Sequence, residues 1–455
     1  MAIKADPSLA IYYSNAATCH SRLGDHLLSL ELINEAIRLD PSFMKALYRR
    51  GVALMELKRF KEASEDFIKV CQEFPTDSEA QKRLKACDKE IDRKMSFEES
   101  MRMGFSAAIR VEKFELSRKC IEGMSVDDTY DGPEINLDKG INVTWVRDVL
   151  IPHFKADKRL NIKYAYMILL LSKEAFEKEE SLVNIEIGSD ETLTICGDVH
   201  GQFFDLVEIF EENGYPEPDS HKYLFNGDVV DRGSYSVECL LTMCAFKAAI
   251  PGSFFVSRGN HESEPINRVH GFYDECSRKY HNHQFFSMAN QMLNTLPIAY
   301  VIGGSLFVVH GGLPSKKDFV LEDVKGIDRF RVPKNGTLLS QLMWSDPQEK
   351  MGINPSHRGE GILFGPDVTE DFLKRNNLTK IIRSHVWKSE GYAIEQDGQC
   401  ITIFSAPNYT GTTSFGAWIN VGKDLQLNFT KFEAAKYQGK YEKPRQTSPI
   451  RGGWY

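Results

Sequence analysis

The sequence predicts a two-part molecule: an all-α helical-repeat domain over residues 1–101, then an α/β domain over 140–435. A linker at 102–139 joins them and a tail at 436–455 follows. Three observations lead there. Two helix-turn-helix patterns stand in one register 34 positions apart, with Ala10 and Met44 as first positions. From Ile185 onward short apolar runs alternate with helical stretches, the pattern of an α/β sheet. The residues just after six of those runs are carboxylates, imidazoles, amides and an aromatic hydroxyl, and strand ends are where such sheets build sites.

At 455 residues the chain has sequence enough for two or three domains. Its balance of 56 Lys+Arg against 64 Asp+Glu argues against nucleic acid as a partner. Met1–Pro7 has no apolar leader, and the most hydrophobic helical stretch, Tyr164–Leu171, falls well short of the ~20 residues a bilayer requires. Nine scattered cysteines without C-x-x-C spacing predict reduced thiols and a cytoplasmic location, with the nucleus also compatible, and a monomer is expected.

In the repeat region the equivalent sites are Tyr13/Leu47, Ala17/Gly51, Ser29/Ala63, Ile33/Phe67 and Ala36/Val70, and Pro41 and Pro75 close the two units. Small residues let paired helices approach, and large ones fill the gap. The pattern resembles tetratricopeptide repeats, with a charged capping helix from Thr76 to about Met101. The resemblance implies a concave face that grips a peptide's terminal carboxylate. Asn15, Lys45 and Arg49 fall at the gripping positions, and Lys45 and Arg49 share one helix face. The plainer alternative is a solvated basic face. A full clamp draws a Lys and an Asn from an earlier repeat, and this chain starts too late to hold it. The expectation is a weakened or altered clamp for a chaperone C-terminal peptide.

The stretch Ser96–Lys139 turns irregular at Asp127–Pro133, and a helical region from about Val143 to Glu180 precedes the first strand-end motif. Six runs then carry the chemistry: Gly197-Asp198-Val199-His200-Gly201, Gly227-Asp228-Val229-Val230-Asp231-Arg232-Gly233, Arg258-Gly259-Asn260-His261-Glu262, His310-Gly311-Gly312, Ser384-His385, and Ser405-Ala406-Pro407-Asn408-Tyr409. They offer oxygen and nitrogen donors and no thiolate, a set for a divalent metal pair rather than a structural zinc knot. Paired divalent metals imply phosphate chemistry.

The first three runs resemble the signature of calcineurin-like metallophosphoesterases. Residues from Glu191 to about Phe429 are similar to the phosphoprotein phosphatase branch, the serine/threonine protein phosphatases. That resemblance implies a central β-sandwich flanked by helices. It implies one metal held by Asp198, His200 and Asp228, and a second held by Asp228, Asn260, His310 and His385. Mn, Fe and Zn all tolerate these donors, with Mg also compatible. It further implies a shared water deprotonated between the cations that attacks phosphorus directly. His261 would be the general acid, with Asp231 orienting it and favouring its protonated form. Arg232 and Arg358 would fork onto phosphate oxygens, with Tyr409, His200 and Asn260 bordering them. The substrates implied are phosphoproteins.

Each residue has a blander reading, a satisfied structural histidine or a surface Asp231/Arg232 ion pair, which six motifs in order make improbable. Two other functions compete. A phosphodiesterase or dinucleotide hydrolase of the same superfamily would lack a reason for Arg232 and Arg358. A catalytically dead repeat adaptor would not keep every ligand position. Thr410–Gly416 and Val386-Trp387 depart from the family's usual residues beside the substrate groove; the tail after Lys443 lacks the apolar helix of related enzymes and the repeat array is short, so weaker autoinhibition is expected.

Overall fold

The computed structural model describes residues 6–22, 25–57, 59–74, 77–87 and 117–436. The chain divides into two compact units, Met1–Met103 and Gly104–Tyr455. Among the described residues no helix is long and apolar enough to cross a membrane.

The first unit pairs helices Ala10–Arg22 with His26–Leu39 and Met44–Glu56 with Phe60–Glu73, and the chain is helical again over 78–87. Ala17, Ile33, Ala36, Ala63, Phe67 and Val70 are all buried, as the repeat register requires. Ser29 is buried because its hydroxyl donates to the Ala17 carbonyl at 2.9 Å, tying the first pair together. Asp25 caps the second helix by accepting the Leu28 N–H. Pro75, Thr76 and the capping helix beyond residue 87 lie outside the described residues.

Gly51 lets the second pair close. A Cβ there would stand 2.8–3.0 Å from three ring carbons of the fully buried Phe67. Gly51→Val is therefore expected to destabilise this unit by about 1–3 kcal/mol despite valine's better helix propensity. Calorimetry of the whole chain checks it as a lowered transition for this unit with the transition of the other unit unmoved.

In the second unit, the described part of the stretch read as a linker is packed. Ile121, in a short helix Arg118–Glu122, and Ile135 are buried in the same cluster as Val146, Ile168 and Leu206. The Tyr130 hydroxyl donates to the Pro133 carbonyl, and Arg118 pairs with Glu174. Loop-like composition hid a strap whose few apolar side chains all point inward. The helical stretch expected over Val143–Glu180 breaks at 156–161, between Ile151–Lys155 and Ile162–Phe176.

Two sheets form the heart of this unit. The first has strand order β1 (Leu182–Ile185), β5 (Ala299–Ile302), β6 (Leu306–Val309), β10 (Lys380–Arg383), β12 (Cys400–Ile403), β11 (Tyr392–Glu395). The second runs β14 (Leu427–Phe432), β13 (Gly416–Val421), β2 (Thr192–Cys196), β3 (His221–Phe225), β4 (Phe254–Val256). Their inner faces meet in one core of Leu193, Ile195, Leu224, Val308, Ile382 and Ile419 among others, which makes the pair a β-sandwich. Helices cover the outer faces, Phe203–Asn213 and Ser236–Ala249 on one side and Pro366–Arg375 on the other. Strands buried on both faces read as continuous apolar runs, hence the pattern seen in the sequence. A small third sheet, β7 (Asp346–Pro347), β9 (Ile362–Phe364), β8 (Ile353–Pro355), completes the unit. Strands β2, β3 and β4 are mutually parallel, and so are β6, β10 and β12. Three carboxyl ends from each sheet open at one rim.

Candidate metal centre

At that rim β2 delivers Asp198 and His200, β3 Asp228, β4 Asn260 and His261, β6 His310, β10 His385 and β12 the loop to Tyr409. All six expected ligands are buried, from His310 at 0 % to His385 at 8 % exposed. Their donor atoms converge. His200 Nε2 lies 3.7 Å from Asp198 and 3.6 Å from Asp228, and His310 Nε2 lies 3.3 Å from Asp228 and from His385 Nδ1. The Asn260 amide oxygen is 3.0 Å from His310 Nε2, and that end of the amide is 3.2 Å from both Asp228 oxygens.

The buried groups that face one another here are carboxylate oxygens, imidazole nitrogens and one end of an amide, a donor set that fits divalent metal ions. Two triads have one nitrogen or oxygen apiece within 4.8 Å of one another: His200, Asp228 and His261, and Asp228, His310 and His385. Asp228 belongs to both, the position a shared ligand occupies. His261 enters the first triad as well, although the sequence reading gave it a proton-transfer role.

The backbone is bent to make this possible. His200, Asp228, Asp231, Arg232, His385 and Asn408 all have left-handed φ between 48° and 75°. Each such non-glycine residue costs of order 1–3 kcal/mol and persists only where neighbours over-determine it. Glycines give the loops room: a Cβ on Gly227 would stand 2.6 Å from His310 Nδ1, and one on Gly259 would overlap Asp228 Oδ1. Carbonyls turn the rings. Val230 O contacts His200 Nδ1 at 3.2 Å and Asn226 O contacts His310 Nδ1 at 2.7 Å, leaving each Nε2 to face the cluster.

Electrostatics follow from the shared burial. Asp198 is pushed up to about 8, first by desolvation and then by Asp228 beside it. Burial works against the Asp228 charge too, but His310, His261 and His200 hold it ionised well below the usual carboxylate range. Burial likewise opposes a charge on His310, yet the same carboxylate outweighs it and lifts the ring to about 9. His200 is lowered to about 4 by burial.

His261 Nδ1 sits 2.6 Å from Asp231 Oδ2, and Phe272 N–H holds the other Asp231 oxygen at 2.9 Å. Burial is the largest influence on both, raising Asp231 well above and lowering His261 well below their ordinary values. Burial thus opposes a charge on either partner, while the short contact between them fixes the orientation of the His261 ring.

Arg232 Nε and Arg358 Nη2 are buried nitrogens without a hydrogen-bond partner, suited to an incoming anion. Arg358 Nε is fixed on Asp346 Oδ2 at 2.6 Å, and Arg383 takes the other oxygen of the same carboxylate at 2.8 Å. Tyr409 stacks on His200 with centroids 5.0 Å apart. The altered residues that follow His385 and Tyr409 are coupled, since Trp387 Nε1 donates to Ser414 Oγ at 3.2 Å and braces the second loop. In the first unit Arg49 donates to the Ser14 carbonyl and hydroxyl at 2.7 and 2.6 Å and to Asn15 Oδ1 at 3.3 Å. Asn15 and Arg49 therefore meet, with no such bond to Lys45.

The sequence reading missed Glu262, Asn226 and Asp346. Glu262 is fully buried and accepts four backbone N–H groups, and the Asn226 amide ties the Val309 carbonyl to Ser384 Oγ. A charged residue directly after the Asn-His pair, with no solvent-facing periodicity around it, was the one available signal.

Comparison with known proteins agrees with this geometry. Residues 192–388 match the calcineurin-like phosphoesterase family, 45–77 match a tetratricopeptide repeat, and 84–184 match the PPP5 TPR repeat region. The chain is 41% identical to serine/threonine-protein phosphatase T of Aspergillus oryzae over 94% of its own length and 87% of that protein's. It is 38% identical to human serine/threonine-protein phosphatase 5, covering 96% and 86% of the two chains. A solved serine/threonine phosphatase of Saccharomyces cerevisiae, described as similar to human phosphatase PP5, superposes with a TM-score of 0.60 at 40% identity over 65% of this chain and 95% of that one. Relatives so similar over most of their length leave one assignment: this chain belongs to the serine/threonine protein phosphatases of type 5/T, a tetratricopeptide region followed by a metallophosphoesterase domain.

Proposed function

We propose that the chain hydrolyses phosphoserine and phosphothreonine in proteins by direct water attack. Asp198, His200 and Asp228 would hold one divalent cation, and Asp228, Asn260, His310 and His385 a second. The observation that carries this reading is the meeting of six strand ends at one rim around a buried cluster of oxygen and nitrogen donors, with Asp228 common to both triads. When bound, two such cations would acidify a water and neutralise phosphoryl charge.

The remaining work falls to the chain. Arg232 and Arg358 offer buried N–H groups to phosphoryl oxygens. As water adds to phosphorus and the bond to the serine oxygen breaks, the departing alkoxide needs a proton. His261 Nε2 gives it while Nδ1 takes up the proton shared with Asp231, so the pair ends as neutral imidazole and carboxylate. The eight described cysteines are free thiols, in keeping with a reducing compartment, the cytoplasm or nucleus.

Phosphate release from a phosphoserine peptide is expected to require Mn and to vanish on chelation, while a phosphodiester stays intact. Turnover that survives chelation, or diester cleavage without peptide turnover, would overturn the reading.

The Arg49–Asn15 contact supports a partner site on the repeat unit for an acidic peptide ending in a free carboxylate, such as a chaperone tail. Arg49 of that clamp is already engaged by Ser14, so calorimetry with a Met-Glu-Glu-Val-Asp peptide should give a Kd no tighter than roughly micromolar. Submicromolar binding lost on Lys45→Ala would show a complete clamp instead.

A further inference from the structure

The turn that carries Asp231 and Arg232 is gripped by a group of buried charges that touches no ligand position. Both residues of the turn have left-handed φ, 75° and 69°, and so need external constraint. The helix Phe272–Tyr280 provides it at two heights. Its first N–H, from Phe272, binds Asp231 Oδ1 at 2.9 Å, and just before it the His270 carbonyl accepts the Arg232 N–H at 3.2 Å. One turn further along, the Glu275 carboxylate accepts the Ser236 and Val237 N–H groups at 2.9 and 2.8 Å. These are the first two N–H groups of the helix Ser236–Ala249, which have no partner within their own helix. Ser236 Oγ then accepts the Asp231 N–H at 3.0 Å. Lys279 closes the group by donating to Glu275 at 2.8 Å, to Glu238, and to the Ser234 carbonyl in the middle of the turn at 3.1 Å.

Glu238, Glu275 and Lys279 are 3–5 % exposed. Two buried carboxylates around one ammonium are a poor device for stability alone, because desolvation offsets most of the attraction. What such a group supplies is direction. From Glu275 a continuous chain of hydrogen bonds runs through the Ser236 N–H and hydroxyl to Asp231, and from Asp231 to His261.

We propose that Glu275, charge-balanced by Lys279 and Glu238, is a positioning residue for the Asp231–Arg232 turn and, through it, for the His261 proton donor. The inference rests on the proton-transfer role proposed above for His261 and Asp231.

The test uses the full-length, Mn-loaded protein and two substrates, a phosphoserine peptide and para-nitrophenyl phosphate, whose aryl leaving group departs without a proton. The ratio of the two kcat values cancels any difference in the folded fraction. Asp231→Asn, the benchmark, should lower the peptide kcat far more than the aryl kcat. Glu275→Gln should shift the ratio the same way, by about tenfold or more, as a small misplacement of an acid requires. If Glu275→Gln does not fold, Glu275→Asp keeps the charge, withdraws the carboxylate by one methylene and faces the same readout. A Glu275 variant that lowers both kcat values equally, beside an Asp231→Asn that shifts the ratio, overturns the positioning role and leaves the proposed function standing. An unshifted ratio in Asp231→Asn removes the proton-transfer role itself, and the positioning role with it.

Discussion

Replacing His261 with alanine is expected to cut turnover of a phosphoserine peptide by roughly 10²–10⁴-fold, the usual contribution of a positioned general acid. The serine alkoxide is a very basic leaving group, and His261 is the imidazole whose far nitrogen is held by a carboxylate that faces no other part of the cluster. Turnover of an aryl phosphate should fall much less, since that oxygen leaves as a weak base. Metal analysis of the same variant separates this role from its alternative. His261 shares a donor triad with His200 and Asp228, its Nε2 lying 4.0 Å from Asp228 Oδ2. If it were a ligand, bound Mn would fall together with the rate on both substrates. Unchanged metal content with a substrate-dependent loss is the expected outcome.

How much of this was legible in the sequence depended on whether a residue's job was written in its local pattern. The strand ends were, because a buried parallel strand is a continuous apolar run and a polar residue directly after it has few bland reasons to be there. The repeat register was, since Ala17, Gly51 and Phe67 pack by size, and size is read directly from residue type. The strap over 117–139 was not. Its Asp- and Gly-rich composition reads as linker, while its burial rests on isolated side chains such as Ile121 and Ile135 that no periodicity marks. The opposition of burial to charge in the His261–Asp231 pair was also hidden, because it depends on desolvation by residues distant in sequence. Most hidden of all were the braces. Glu275 acts across 39 positions on Ser236, and Asp346 joins Arg358 to Arg383, partners that spacing cannot connect. A motif shows which side chains meet the chemistry; which side chains hold the motif in a strained shape emerges only when the chain is folded.

Glu262 is the brace whose loss should cost most. Its Oε2 accepts the Asp228 and Gly259 N–H groups at 2.7 and 3.0 Å, and its Oε1 accepts those of Val229 and Val230 at 2.9 and 3.3 Å. One carboxylate therefore closes the turn after β3, where Asp228 sits at a φ of 50°, and joins it to the turn after β4 that presents Asn260. Charge-assisted hydrogen bonds of this kind outweigh neutral ones, and Glu262 makes all four while fully buried. Glu262→Gln keeps the volume but turns an NH₂ group toward N–H donors, and each buried group left unpaired costs about 1–3 kcal/mol. With two of the four displaced, a loss of about 2–4 kcal/mol in unfolding free energy is expected, visible as a lower urea midpoint. The strained Asp228 backbone would then relax toward an ordinary φ and swing its carboxylate out of both triads. Mn affinity should accordingly fall by roughly 10–100-fold, the cost usual for groups that orient metal ligands. Calorimetric titration of the metal-free chain with Mn measures this without reference to activity. A Glu262→Gln chain with unaltered Mn affinity and midpoint would mean that the glycines and the sheet alone dictate the left-handed Asp228, with the carboxylate merely occupying the space between two turns.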